Sequence, residues 1–211
     1  MRNRRDHCGL RGRRLCVRRM AGGGAASCSQ VVTWYIRDYR TCAREELAFY
    51  RGQPTLNSAI HVGALAIRRD GTRHPHQWRR SLSTLEAARE QLLHAGLRRC
   101  RTFEQLYSTV RDAIEGIPDI GALTVYDTAQ RIGAFLGLEP DVVYLHCGTR
   151  DGARALGLAA RGETLSPDVL PAAFRRLRPY EVEDCLCIYK RELAEWRAAQ
   201  QAVGPDGRAH G

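Results

Sequence analysis

The chain has 211 residues, 44% hydrophobic and 27% charged, enough to bury a proper core as one domain with room for two lobes. Nothing in it approaches the run of about 18 apolar residues that a membrane span needs. The net charge of +10 invites a nucleic-acid reading, yet residues 1–20 hold eight Arg against one Asp, and only +3 remains for all the rest.

The basic residues 1–20 lack helical periodicity and run into Gly22-Gly23-Gly24. A disordered, basic and Gly-rich extension is therefore expected over residues 1–30, with Met20 as an alternative start. No apolar stretch follows the basic run, so a secretory signal is not expected, and scarce Ser argues against a transit peptide. From Val31 onward helical signals dominate. A helix is expected from Thr41 to Tyr50, another from Thr55 to Ile67, and a turn at Asp70-Gly71. His74-Pro75-His76-Gln77-Trp78 reads as irregular. Ser83-Thr84-Leu85-Glu86 has the capping-box pattern and opens a helix to about Ala95, stopped by Gly96. Thr102-Phe103-Glu104-Gln105 repeats the pattern, with Leu106, Val110 and Ile114 at helical spacing.

The next helix is expected from Ala122 to Leu136, closed by Gly137. Tyr144 to Gly157 reads as a turn with a short helix, Ala159 to Ser166 as a surface loop, and Pro171 to Leu177 as a short helix. Pro179 starts a long helix in which Val182, Leu186, Tyr189, Leu193 and Trp196 trace one stripe. Residues 204–211 form a polar, Gly-containing tail, expected to be disordered. The expected fold is mainly α: a compact helical domain over 31–203 with a helix-hairpin-helix-like element.

Eight cysteines are scattered with no paired CxxC spacing. They read as reduced thiols of a cytoplasmic protein, most of them packed as small hydrophobes.

The most informative stretch runs from Gly116 to Pro140. A helix ending near Gly116, the turn Ile117-Pro118-Asp119-Ile120-Gly121 and a new helix make an αα corner. Gly121 can adopt a positive φ and lets another backbone approach closely. The amides at the start of the second helix, from Ile120, Gly121 and Ala122 to Thr124, then form an anion site that needs no basic side chain. A phosphodiester backbone suits such a site.

Ile117-Pro118-Asp119-Ile120-Gly121 resembles the LPGIG turn of helix-hairpin-helix DNA-binding proteins. Tyr126-Asp127-Thr128-Ala129-Gln130-Arg131-Ile132 with Leu136-Gly137-Leu138 is similar to the VDTH…R…LGL segment of the helix-hairpin-helix DNA glycosylases. That resemblance, over about 25 residues, implies DNA as partner, a role in DNA repair and Asp127 as catalytic carboxylate. The spacing departs from the family: Asp127 follows Gly121 by six residues, where the glycosylases insert roughly a helix, and the family's His is Ala129 here. The order of HPHQ, VYDTA.RIGA.LGL, VYLH.GTR.GA.ALG and EDCLCIYK also resembles a bacterial protein family from which no activity follows, over Asp70 to Lys190.

Apart from the resemblance, Asp127 fits either the acidic place of a Thr-x-x-Asp capping pair with Thr124 or a salt bridge with Arg131 at i+4. His74 and His76, His146-Cys147 and Cys185-x-Cys187 do not add up to a metal site, and neither a metal nor a cofactor is expected. Trp78 is expected to be buried, the functional alternative being a base stacked on it between Arg79 and Arg80. Arg150 and Arg154 lie one helical turn apart and suit bidentate phosphate binding, or a solvated face beside Asp151. Lys190, the single lysine, reads as a surface residue.

The expected function is nucleic-acid binding, to DNA or RNA, with the corner holding a phosphate and Arg79, Arg80, Arg150 and Arg154 extending the footprint. The alternative is a non-enzymatic helical module for a protein partner, in a defence or mobile-element system, in which the corner is only packing.

Overall fold

Nine α-helices and one two-stranded sheet make up the computed structural model over its described residues, 25–202. Most of the expected N-terminal extension, including Met20, and the expected tail at 204–211 lie outside the described residues. Ala25 to Gln30 lie inside them, and α1 (Cys28–Asp38) starts within this stretch. Ser27 explains that start: its hydroxyl accepts from the Gln30 amide and the Gln30 side chain accepts from the Ser27 amide, so two helix-end donors are satisfied reciprocally. No described helix is long and apolar enough to cross a membrane.

The chain divides into two units, one over 41–141 and the other joining 25–40 to 142–202. The helix α2 (Arg40–Arg51) carries the chain into the first unit.

The first unit continues with α3 (Leu56–Ala64), α4 (Leu82–His94), α5 (Phe103–Ile114) and α6 (Ala122–Leu136). In sequence order α3 packs on α4, α4 on α5 and α5 on α6, while α6 also packs on α3. Leu85, Ala88 and Leu92 of α4, Leu106, Val110 and Ile114 of α5, and Val125, Ala129 and Ile132 of α6 recur at three- and four-residue spacing and are all buried. Two glycines set the depth of α6: a Cβ on Gly133 would stand 2.7 Å from the Leu138 carbonyl oxygen, and one on Gly63 of α3 would stand 3.2 Å from Ile132.

Two boundaries and the reach of one capping side chain differ from the sequence expectation in this unit. The helix expected to reach Ile67 stops at Ala64, because Ala66 takes a φ of 54° and turns the chain into an antiparallel bridge between Ile67 and Arg73. The helix expected to open at Ser83 opens two residues earlier, since Ser81 accepts from the Thr84 amide at 3.0 Å. At α5 Thr102 is the cap, accepting from the Gln105 amide at 3.2 Å, but the Gln105 side chain reaches back to the Arg101 amide at 2.8 Å. The α6 bounds agree with the expectation, and Gly137 closes the helix at a φ of 72°.

The second unit holds α1, β1 (Val143–Tyr144), α7 (Cys147–Ala155), β2 (Thr164–Leu165), α8 (Pro179–Ile188) and α9 (Lys190–Ala202). The strands pair antiparallel with Val143 opposite Leu165. The loop expected over 159–166 thus ends in a short strand. Its core gathers Val31, Val32 and Tyr35 of α1 with Phe174, Val182, Cys185, Leu186 and Leu193.

The long helix expected from Pro179 is two helices, parted at Tyr189, which leaves helical dihedrals (φ −102°, ψ 20°). Its ring is buried against Trp34 and Tyr39, at centroid distances of 6.1 and 6.0 Å. The expected stripe therefore survives the break. Helix α7 seats directly on α8: a Cβ on Gly152 would overlap the Leu186 carbonyl, and one on Gly148 would stand 2.5 Å from the Cys187 sulfur.

Candidate nucleic-acid interface

Helices α5 and α6 pack together and are joined by a tight corner. Ile117 O accepts from the Ile120 amide at 3.1 Å, with Pro118 and Asp119 between them. Asp119 takes the left-handed conformation, with a φ of 68°, as the third residue of a type II turn does. The left-handed residue of the corner is thus Asp119, and Gly121, which could take that conformation, is extended at −116°. The turn also consumes the Ile120 amide.

Gly121 is the N-cap of α6 and has no side chain to cap with. The first intrahelical bond runs from the Val125 amide to Gly121 O at 3.1 Å, so the Ala122, Leu123 and Thr124 amides precede the ladder. Gly121 and Ala122 are exposed, and a Cβ on Gly121 would meet no atom within 4 Å. The Thr124 side chain is buried, which leaves only its amide for a ligand. The result is an open amino end on a 15-residue helix, where the dipole adds to the unspent donors.

Further along α6, Asp127 lies inside the unit. Its carboxylate accepts from Arg131 at 3.3 Å, and both side chains are buried. Arg131 also donates to Gly63 O at 3.4 Å and stands over the Tyr50 ring at 5.9 Å from its centroid. Beside them, His74 is hydrogen-bonded to Glu46 of α2. Burial would raise the Glu46 carboxyl, but the His74 hydrogen bond and the charges of His74, Arg131 and Arg68 outweigh it and hold the group below its usual range. Burial pushes the Tyr50 hydroxyl up to about 12, with Arg131 pulling against it. Nothing in sequence spacing couples Glu46 to His74, 28 positions apart.

The expectation for Trp78 is overturned. It is 77% exposed, the most exposed of the large hydrophobic side chains singled out among the described residues. It follows the 3-10 turn Pro75–Gln77, and the fully buried neighbour is Gln77. The aromatic rings buried in this unit are instead those of Tyr50, Phe103 and Tyr126. Arg79 is exposed and Arg80 half-buried.

In the second unit the two arginines expected to share a phosphate behave differently. Arg150 donates to the carbonyls of Leu145, Ala160 and Gly162 at 2.7, 2.6 and 2.9 Å. It therefore ties the loop after α7 back to the entry of that helix, while Arg154 is exposed. One turn before Arg154, Thr149 donates to Glu183 at 2.5 Å, and His146 Nε2 lies 3.4 Å from the same carboxylate oxygen. All three are buried. The sequence signals this cluster only through the polar residues on the inward face of α7. Lys190 approaches Asp151 at 3.8 Å and is partly exposed. No group of three or more His, Cys, Asp or Glu among the described residues is placed to hold a metal ion.

No family model, no curated protein and no solved structure matches this chain.

Proposed function

We propose that the protein binds nucleic acid, and that the amino end of α6 contacts a backbone phosphate. The open, uncapped end at Gly121–Thr124 carries this reading. A phosphate there accepts from amides that have no intrahelical partner, and the missing Gly121 side chain lets it approach. Such contacts position a strand without reading its bases. The proposal is for binding, since the Asp127 carboxylate is already held by Arg131.

The test measures affinity for DNA and RNA against salt, on the full chain and on one that begins at Met20. The second protein removes the arginines of residues 1–19, which would attract any polyanion. Gly121→Asp is the informative variant. Asp is a favoured N-cap and keeps the helix stable, but it spends the amides and sets a negative charge where the phosphate sits. The expected result is salt-sensitive binding by both proteins, lost in Gly121→Asp with an unchanged melting temperature. Absence of salt-sensitive binding by the protein that begins at Met20 overturns the reading.

A further inference from the structure

The segment 68–83 has two properties that seldom occur together. It holds five arginines, at positions 68, 69, 73, 79 and 80, against one acid, Asp70. It also displays Trp78 at 77% exposure, with Leu82 half exposed nearby in sequence. An exposed tryptophan costs solubility and contributes nothing to the core, so its position calls for a ligand with a flat apolar face.

The segment is built to hold the indole in place. The Ile67–Arg73 bridge and a bond from the His74 amide to Ala66 O at 2.8 Å anchor its first half. His74 is tied to Glu46. The Arg73 guanidinium donates to Arg80 O at 3.0 Å, and the Arg80 amide donates to Gln77 O at 3.0 Å, which closes the loop on both sides of Trp78. The backbone under the ring is thus fixed before any ligand arrives, which lowers the ordering cost of binding.

From these observations we infer that Trp78 is a stacking platform for an unpaired nucleotide base, with Arg79 and Arg80 on the adjoining phosphates. The charge selects a polyanion, and the exposed ring selects one whose aromatic faces are accessible. In a duplex those faces are covered by neighbouring pairs, whereas in a single strand they are open. An acidic protein segment satisfies the arginines but offers no series of flat rings. The inference rests on the nucleic-acid reading and adds to it the form of the ligand, using residues other than the α6 amino end.

The experiment compares a mixed-sequence single-stranded DNA of about 20 nucleotides with the duplex of the same sequence, on the full chain. Trp78→Ala is expected to weaken single-strand binding by roughly 10-fold, within the range of one lost base stack, and to leave duplex binding unchanged. Trp78→Phe, which keeps a ring, is expected to restore most of the loss. An unchanged melting temperature in both variants excludes a folding effect, as the exposure of the side chain predicts. If the unsubstituted protein binds single strands and Trp78→Ala binds them equally well, the platform is overturned while the nucleic-acid reading stands. Equal weakening for both DNA forms overturns the preference for unpaired bases. If the unsubstituted protein binds neither form, nor an RNA single strand of the same sequence, both readings fail, and an acidic protein partner becomes the occupant to test.

Discussion

Two regions use arginine differently: the loop after α7 and the segment 68–83. In 142–202, Arg150 spends its guanidinium on three carbonyls, and Arg197 donates to Leu156 O at 3.2 Å. In segment 68–83 the Arg73 side chain staples the loop in the same way, while Arg79, beside Trp78, is exposed. The charge of both residues is identical in the sequence. Arg150 is committed to three carbonyls of the fold, whereas exposure beside Trp78 makes Arg79 the candidate for the proposed ligand contact.

Glycine shows the same division and gives the largest expected effect. Gly152→Ala drives a methyl into the Leu186 carbonyl, which belongs to a helix backbone and cannot step aside. A loss of about 3 kcal/mol is expected in urea unfolding. Gly121→Ala meets open space at an ordinary φ, and is expected to cost about 1 kcal/mol or less. Equal losses at the two sites would mean that α7 and α8 are less tightly seated than this packing requires.

Next in size is Asp127→Asn, which leaves the buried Arg131 without its carboxylate partner. A loss of about 3 kcal/mol is the upper expectation, softened by the Gly63 carbonyl and the Tyr50 ring. A variant that melts normally yet loses an assayable base-excision product would reassign the carboxylate to chemistry. Arg150→Ala is expected to cost about 2 kcal/mol and to leave nucleic-acid affinity alone. Arg79→Ala should do the reverse: stability within about 0.5 kcal/mol, and a salt dependence of binding shallower by about one phosphate contact. If Arg150→Ala weakens binding without destabilising, the contrast between the two arginines is wrong.

Periodic apolar residues and caps made most of the helices legible. Gly96 and Gly137 mark true ends, and the α6 range is the one its spacing predicts. Local pattern fails where distant residues decide. Tyr189 interrupts the last helix with its ring against Trp34 and Tyr39, and no window around Pro179 contains those partners. Trp78 has the composition of a core residue, and only the completed packing of the first unit shows that no place is left for it. The corner between α5 and α6 was legible as a turn between helices, but its left-handed residue is Asp119 rather than the glycine. The Glu46–His74 pair was not legible, because it joins a helix to a loop across the unit.

That pair supplies the smallest effect and the one that tests the first unit by pH alone. The Glu46 carboxyl is held below its unfolded range, chiefly by His74 against the opposing pull of burial. A group with a lowered folded pKa contributes stability that is fully present above its unfolded pKa, about 4.3, and is lost as pH falls through the folded value. Glu46→Gln should therefore flatten the acid limb of the stability curve below about pH 4.3. Glu46 is partly exposed, so solvent screens the pair and the effect is modest. The same substitution should leave the second unit's response to pH unchanged, since neither residue of the pair belongs to that unit. Hydrogen exchange followed separately in the two units distinguishes these responses: uniform flattening across both would show that the Glu46–His74 pair is not a local determinant of the first unit.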